Sequence, residues 1–126
     1  MINEVFSEVM GELQGDYKSW AYIMYVQGNP AGFVIAQVDS LGGSWCLKPG
    51  YSLIREFFIG KKFRRQGYGR ALYDYMEEIL IKDGVRKFYL TTDTEQGVGF
   101  WQFCGYIFTG DICEFNNSGI YEKIRG

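Results

Sequence analysis

The sequence predicts an α+β fold: a single twisted, mixed β-sheet of about six strands flanked by helices. Three observations point there. Leu72, Met76, Ile79 and Leu80 recur at i, i+4, i+7 and i+8, the stripe of a helix with one face on a core. Several short runs rich in aromatic and β-branched residues are bounded by Gly, Asn, Asp or Pro, as strands are. One of these runs, Phe57-Phe58-Ile59, leads through a basic loop and a Gly-x-Gly turn directly into the helix.

In chain order, Ile2, Val5, Phe6, Val9, Met10 and Leu13 share a helical stripe with Glu4, Glu8 and Glu12 opposite, so residues 2–14 read as a helix ending at Gly15-Asp16. Ser19 to Val26 and Gly32 to Val38 read as an antiparallel hairpin across Gln27-Gly28-Asn29-Pro30. Residues 39–50, with Gly42-Gly43 and Pro49, read as a mobile loop. Tyr51 to Ile59 is the expected central strand, and the helix over 67–82 stops at Asp83-Gly84. Val85 to Thr92 is the next strand, parallel to the central one, and residues 96–104 form a short helix. Tyr106 to Phe115 and Ile120 to Ile124 close the chain as a hairpin across Asn116-Asn117-Ser118-Gly119. There is no repeat, linker or low-complexity stretch, so residues 1–126 read as one domain.

Composition narrows the function classes. With 47% hydrophobic and 18% aromatic residues, the chain has the means to build a core. No run is long enough to span a bilayer and no basic segment opens the chain, so a cytoplasmic protein without membrane contact is expected. Cys46, Cys104 and Cys113 lack metal-ligand spacing and there is no histidine, which excludes structural zinc and histidine-based catalysis; no metal is expected. Net charge is −2, but residues 55–70 hold six of the thirteen basic residues against one acid, while the rest holds seven basic and fourteen acidic residues. Such a local concentration suits a small anionic ligand better than nucleic acid, which calls for a wider basic face.

That concentration sits at the strand-to-helix junction. Lys61, Lys62, Arg64 and Arg65 precede the helix and Arg70 lies just inside it, where cations oppose the helix dipole unless an anion is bound. Gly67 and Gly69 let backbone N–H groups turn together toward such an anion, and flanking arginines make the place suitable for a pyrophosphate. A P-loop would need Gly-Lys-Ser/Thr, but Arg70-Ala71 follows Gly69; a Rossmann turn would need a third glycine, and Leu72 stands there. The plain alternative is a tight turn with a solvated basic loop.

Arg64-x-x-Gly67-x-Gly69 between a strand and a helix resembles the acyl-CoA pyrophosphate loop of the GNAT superfamily of N-acetyltransferases. Gly99-Phe-Trp-Gln-Phe-Cys-Gly-Tyr106 is similar to that family's short helix and the Gly-Phe/Tyr after it, one helix and one strand downstream. The resemblance covers roughly residues 17–126. The family's usual first strand and first helix have no counterpart ahead of residue 2, so the chain is either a minimal member or begins late. The strand edge at 18–27 is then expected to be bare, and a second subunit, as in a homodimer, to cover it.

The resemblance implies an acyl-CoA-dependent N-acetyltransferase moving an acetyl group from acetyl-CoA to a primary amine of a small molecule or protein. It implies that Arg64, Arg65, Gln66, Gly67, Tyr68, Gly69 and Arg70 hold the pyrophosphate. It further implies that Phe57, Phe58 and Ile59 pair with the pantetheine arm, that the next strand splays away to admit it, and that a backbone N–H of the central strand faces the thioester oxygen. Glu56, the one carboxylate on that strand, is the candidate general base, directly or through water; a glutamate paired with Arg55 or Lys61, or pointing to solvent, is the plain alternative. Two positions depart from the family. Trp101 stands where many relatives carry a tyrosine general acid, and Thr94 where many carry a cofactor-binding asparagine. Trp101 can wall the pocket but not give up a proton, so water, Cys104 or Tyr106 would have to assist the leaving thiolate, the last two being better suited to the core. A non-catalytic CoA-binding module on the same fold and a nucleic-acid-binding domain are the competing readings.

Overall fold

The computed structural model describes residues 18–42 and 45–126, together with the backbone of 4–10. Its elements are β1 (Glu4–Met10), β2 (Lys18–Val26), β3 (Asn29–Val38), β4 (Ser52–Ile59), α1 (Tyr68–Lys82), β5 (Lys87–Thr92), α2 (Glu95–Phe103), β6 (Ile107–Ile112) and β7 (Gly119–Ile124), with a 3-10 turn at Lys61–Phe63 before α1. The described strands form one mixed, seven-stranded sheet in the order β1-β2-β3-β4-β5-β7-β6, with β4 at its centre. Among the described strands only the β4–β5 pair is parallel.

The N-terminal expectation is corrected. Residues 4–10 form a strand, not a helix, and pair antiparallel with β2 from Glu4↔Val26 to Met10↔Ala21; the remainder of the predicted helix lies outside the described residues. A helical apolar period over so short a segment is a weak preference. Pairing along the edge of β2 satisfies a row of backbone donors and acceptors, and that contact wins. The same pairing removes the bare edge expected at 18–27, and with it the reason to expect a subunit there. A first strand is present after all.

The core lies on one sheet face. Leu72, Tyr73, Met76 and Leu80 of α1 and Trp101 of α2 pack there against Met24, Val34, Ile54 and Phe88. A smaller cluster on the other face joins Leu53, Tyr89, Cys113 and Ile120 beneath Trp45, Leu47 and Tyr51. That cluster also corrects the picture of a loose 39–50 loop. The buried Asp39 carboxylate accepts from the Leu47 and Lys48 amides at 2.9 and 3.0 Å and from the Tyr89 hydroxyl, so the described part of the loop is tied to β5.

A one-residue irregularity in β4 decides which side chains face α1. Ile35 pairs with Glu56 but Ala36 with Ile54, leaving Arg55 as an extra residue. Ile54 therefore shares the core face with Phe57 and Ile59, and Glu56 and Phe58 turn to the other.

Candidate active site

β4 and β5 stay together only at Ser52↔Phe88 and Leu53↔Tyr89; beyond Leu53 the two parallel strands part. Between them opens a cleft of about 1080 Å³, walled by Ile54–Ile59, by Leu90–Thr92, by the loop and first turn of α1, and by α2 from Glu95 to Phe103. Half of the backbone groups of β4 beyond residue 53 face this opening, because β3 occupies only the other side of the strand.

The N-terminus of α1 closes one end. Gly67 caps the helix at φ 87 with no side-chain hydrogen bond, and its first turn holds no acidic residue. Arg65 is also in the left-handed region, at φ 61. The first amide drawn into the helix is that of Ala71, which donates to the Gly67 carbonyl at 3.1 Å. The amides before it, from Arg65 to Arg70, have no acceptor among the described residues, the arrangement that binds anions at helix termini. Gly69 lies close against α2: a Cβ there would stand 3.2 Å from the Phe100 ring, where α1 and α2 meet.

The arginines divide their work. Arg64 donates from Nε to the Ile59 carbonyl at 2.8 Å and lies 5.6 Å from the centre of the Phe58 ring, so it is braced at the cleft wall. Arg70 is spent locally: its Nε donates to Asp74 at 2.9 Å and a terminal nitrogen to the Phe103 carbonyl at 3.2 Å. Asp74 thereby relieves the conflict between Arg70 and the helix dipole that the sequence left open. Arg65 lines the cleft and is exposed.

Of the residues expected at the site, Glu56, Phe57, Phe58, Ile59, Arg64, Arg65, Gly67, Gly69, Arg70, Thr94 and Trp101 line the cleft. The side chains of Gln66 and Tyr68 do not: Gln66 donates to the Lys62 carbonyl at 3.0 Å, and Tyr68 packs edge-on against Phe63. Thr94 caps α2 by accepting from the Gly97 amide at 3.0 Å. Trp101 is 7% exposed and packs on Phe57, Tyr73, Phe100 and Tyr106, so it is core and cleft wall together. Cys104 and Tyr106 are buried and absent from the wall. Burial pushes the Cys104 thiol up to about 11 and drives the Tyr106 hydroxyl above the ordinary phenol range, which suits neither to give up a proton readily.

Sequence reasoning missed the far wall, Thr91, Thr92, Glu95, Gln96 and Phe100. The expected divergence of the two strands was the signal, since it requires the end of β5 and the start of α2 to border the opening. A glycine marks the crowding there: a Cβ on Gly97 would lie 2.5 Å from the Thr92 hydroxyl.

Comparison with known proteins places this architecture. The sequence matches the family model for the acetyltransferase (GNAT) family over residues 3–106. No curated protein matches. Among solved structures, the chain is similar to the PaiA N-acetyltransferase of Thermoplasma acidophilum in complex with coenzyme A, at TM-score 0.68 and 14% identity, covering 84% of this chain and 60% of that one. An acetyltransferase of Bacillus anthracis in complex with acetyl coenzyme A gives TM-score 0.70 and 17% identity, over 86% of this chain and 63% of that one. The IAA acetyltransferase of Bacillus cereus gives TM-score 0.73 and 13% identity, over 97% and 99%. The chain thus spans less than two thirds of the length of the first two and almost all of the third. At such identities the likeness is one of fold; the family match carries the assignment. With a parallel pair that parts at Leu53, a glycine-capped helix with no side-chain cap facing the gap and a family match over residues 3–106, this chain belongs to the GNAT family of acetyltransferases.

Proposed function

We propose that this chain transfers an acetyl group from acetyl-CoA to a primary amine. The observation that carries the reading is the cleft between β4 and β5 ending at the row of amides that opens α1, which have no acceptor among the described residues. The pyrophosphate lies on the amides of residues 65–70 with Arg64 and Arg65 beside it, and the pantetheine arm runs along Phe57–Ile59 as an added strand. Acetyl-CoA is a substrate here, consumed at each turnover.

The amine nitrogen attacks the thioester carbonyl, forming the C–N bond as the carbonyl oxygen takes up negative charge. A β4 amide turned into the cleft stabilises that oxygen. An amine of pKa about 10 arrives protonated at neutral pH, so a base must first take a proton. Glu56 is the acidic side chain that β4 contributes to the cleft wall, and it takes this proton directly or through water. The C–S bond then breaks as the attacking nitrogen, positively charged after C–N bond formation, gives up its remaining extra proton to water. The thiolate leaves and is protonated by water, because Trp101 holds the position of a side-chain acid.

The test is Glu56→Gln, assayed by release of CoA thiol over a panel of primary amines. Acetyl-CoA affinity is expected to hold while kcat falls by about 10²–10⁴, the worth of general-base catalysis. The deficit should shrink as pH rises and free amine becomes abundant. Unchanged turnover at pH 7 with the best amine would assign the base elsewhere.

A further inference from the structure

We infer that the acceptor is a primary amine carried on an apolar chain or ring, and that the body of the acceptor lies on the sheet face opposite α1. The inference rests on the acetyl-transfer reading above and adds the substrate class. The extra residue at Arg55 turns Glu56 and Phe58 to that face, where three strands set their side chains in register. Ile23, Phe33 and Phe58 form one cross-strand row; Ala21, Ile35 and Glu56 form the next.

The first row is partly open, with the Arg64 guanidinium against its Phe58 ring. Phe33 and Phe58 are 36% and 46% exposed, with ring centres 5.9 Å apart, and Ile23 and Ile35 beside them are half-buried. An apolar row beside a cleft offers a place for an apolar group, where scattered apolar residues do not. Glu56 and Phe58 also line the cleft, so the row and the cleft share a wall. Among the charged residues that line the cleft, Glu56 and Glu95 draw an ammonium and Arg55, Arg64 and Arg65 repel it; an ammonium held at Glu56 has the row of Phe58, Phe33 and Ile23 beside it for its substituent. Among the described residues no carboxylate stands in that row, so a second ammonium laid on it, as on a polyamine, would lose water without gaining a partner there.

The experiment uses the whole chain and n-alkylamines from ethylamine to hexylamine, with 1-hexanol and a diamine as controls. Two readouts run in parallel: thiol release with acetyl-CoA, and calorimetric binding to the CoA-saturated protein. Each added methylene should raise kcat/KM and binding by about two- to fourfold, given half-exposed rings. The diamine and hexanol should fall well below hexylamine. Phe33→Asn, on a strand that does not border the cleft, should reduce the hexylamine-to-ethylamine ratio at least about tenfold. Phe33→Leu should keep most of it, and the wild-type series decides alone should Phe33→Asn not fold. Turnover that is indifferent to chain length overturns the inference and leaves acetyl transfer standing. Length-dependent binding without any turnover overturns acetyl transfer and leaves the docking row standing. A wild-type dimer that Phe33→Asn dissociates makes the row an interface between copies, and the inference fails.

Discussion

Replacing Lys123 by methionine keeps the length of the side chain and removes one charge, and the surroundings of that charge set the cost. The Lys123 ammonium donates to Glu77 at 2.7 Å and to the Cys104 carbonyl at 2.7 Å, tying β7 to α1 and to the end of α2. Glu77 is 5% exposed. Burial works against its carboxylate, but Lys123, the Tyr73 hydroxyl and Arg125 outweigh that and hold its pKa below the ordinary value. Without Lys123 the carboxylate keeps Arg125, whose side chain is 45% exposed, and the Cys104 carbonyl loses its donor. Breaking a buried pair by removing one partner costs about 3–5 kcal/mol, and the surviving Arg125 contact brings the expectation to about 2–3 kcal/mol. For a chain of this length that is a fall in Tm of about 6–15 °C, read by thermal circular dichroism at pH 7. Glu77→Gln should rescue part of it in the double variant, because no uncompensated carboxylate is then left buried. The pH dependence has a definite sign. A lowered folded-state pKa gives stability that is complete above the unfolded value near ~4.3 and lost as pH falls through the folded one, so the wild type should lose Tm in acid more steeply than Glu77→Gln. A Lys123→Met variant melting within about 2 °C of wild type, or strict additivity in the double variant, would refute the reasoning.

Two further outcomes follow from the site. Gly67→Val places a β-branched side chain at φ 87, which costs about 1–2 kcal/mol, and crowds the amides at the head of α1; calorimetry should show acetyl-CoA affinity lost in protein that is still folded. Trp101→Tyr restores the hydroxyl of many relatives but loosens contacts with four aromatic rings, each worth about 0.5–1.5 kcal/mol. A drop in Tm is expected even if turnover survives, and a variant as stable as wild type would show that these contacts are dispensable.

Much of this was legible in the sequence because its signals were local. Leu72, Met76, Ile79 and Leu80 announced α1, and Gly67-x-Gly69 announced its N-terminus, since both depend on a few neighbouring residues. The first strand was not legible: Val5, Phe6 and Val9 fit a helical period, and only the waiting edge of β2 settles the matter. Nor was the commitment of Arg70 to Asp74 and Phe103, because a count of cations cannot tell a free charge from a paired one. Glu77, Lys123 and Arg125 were passed over altogether. They are 46 and 48 positions apart in the chain, and their meeting is a product of topology.

The parting of β4 from β5 places the raw side of a strand in the middle of a sheet. Open edges usually lie at the margins, where they invite aggregation. Here the bare ladder is recessed between two diverging strands. Among the described residues, two register pairs, at Ser52 and Leu53, stitch the β1–β4 half to the β5–β7–β6 half along the backbone. An extended molecule lying in the gap therefore completes the weave. It would act as a removable strand, so that occupancy would be felt as stiffness by both halves, with slower amide exchange along β4 and β5 far from the reacting atoms.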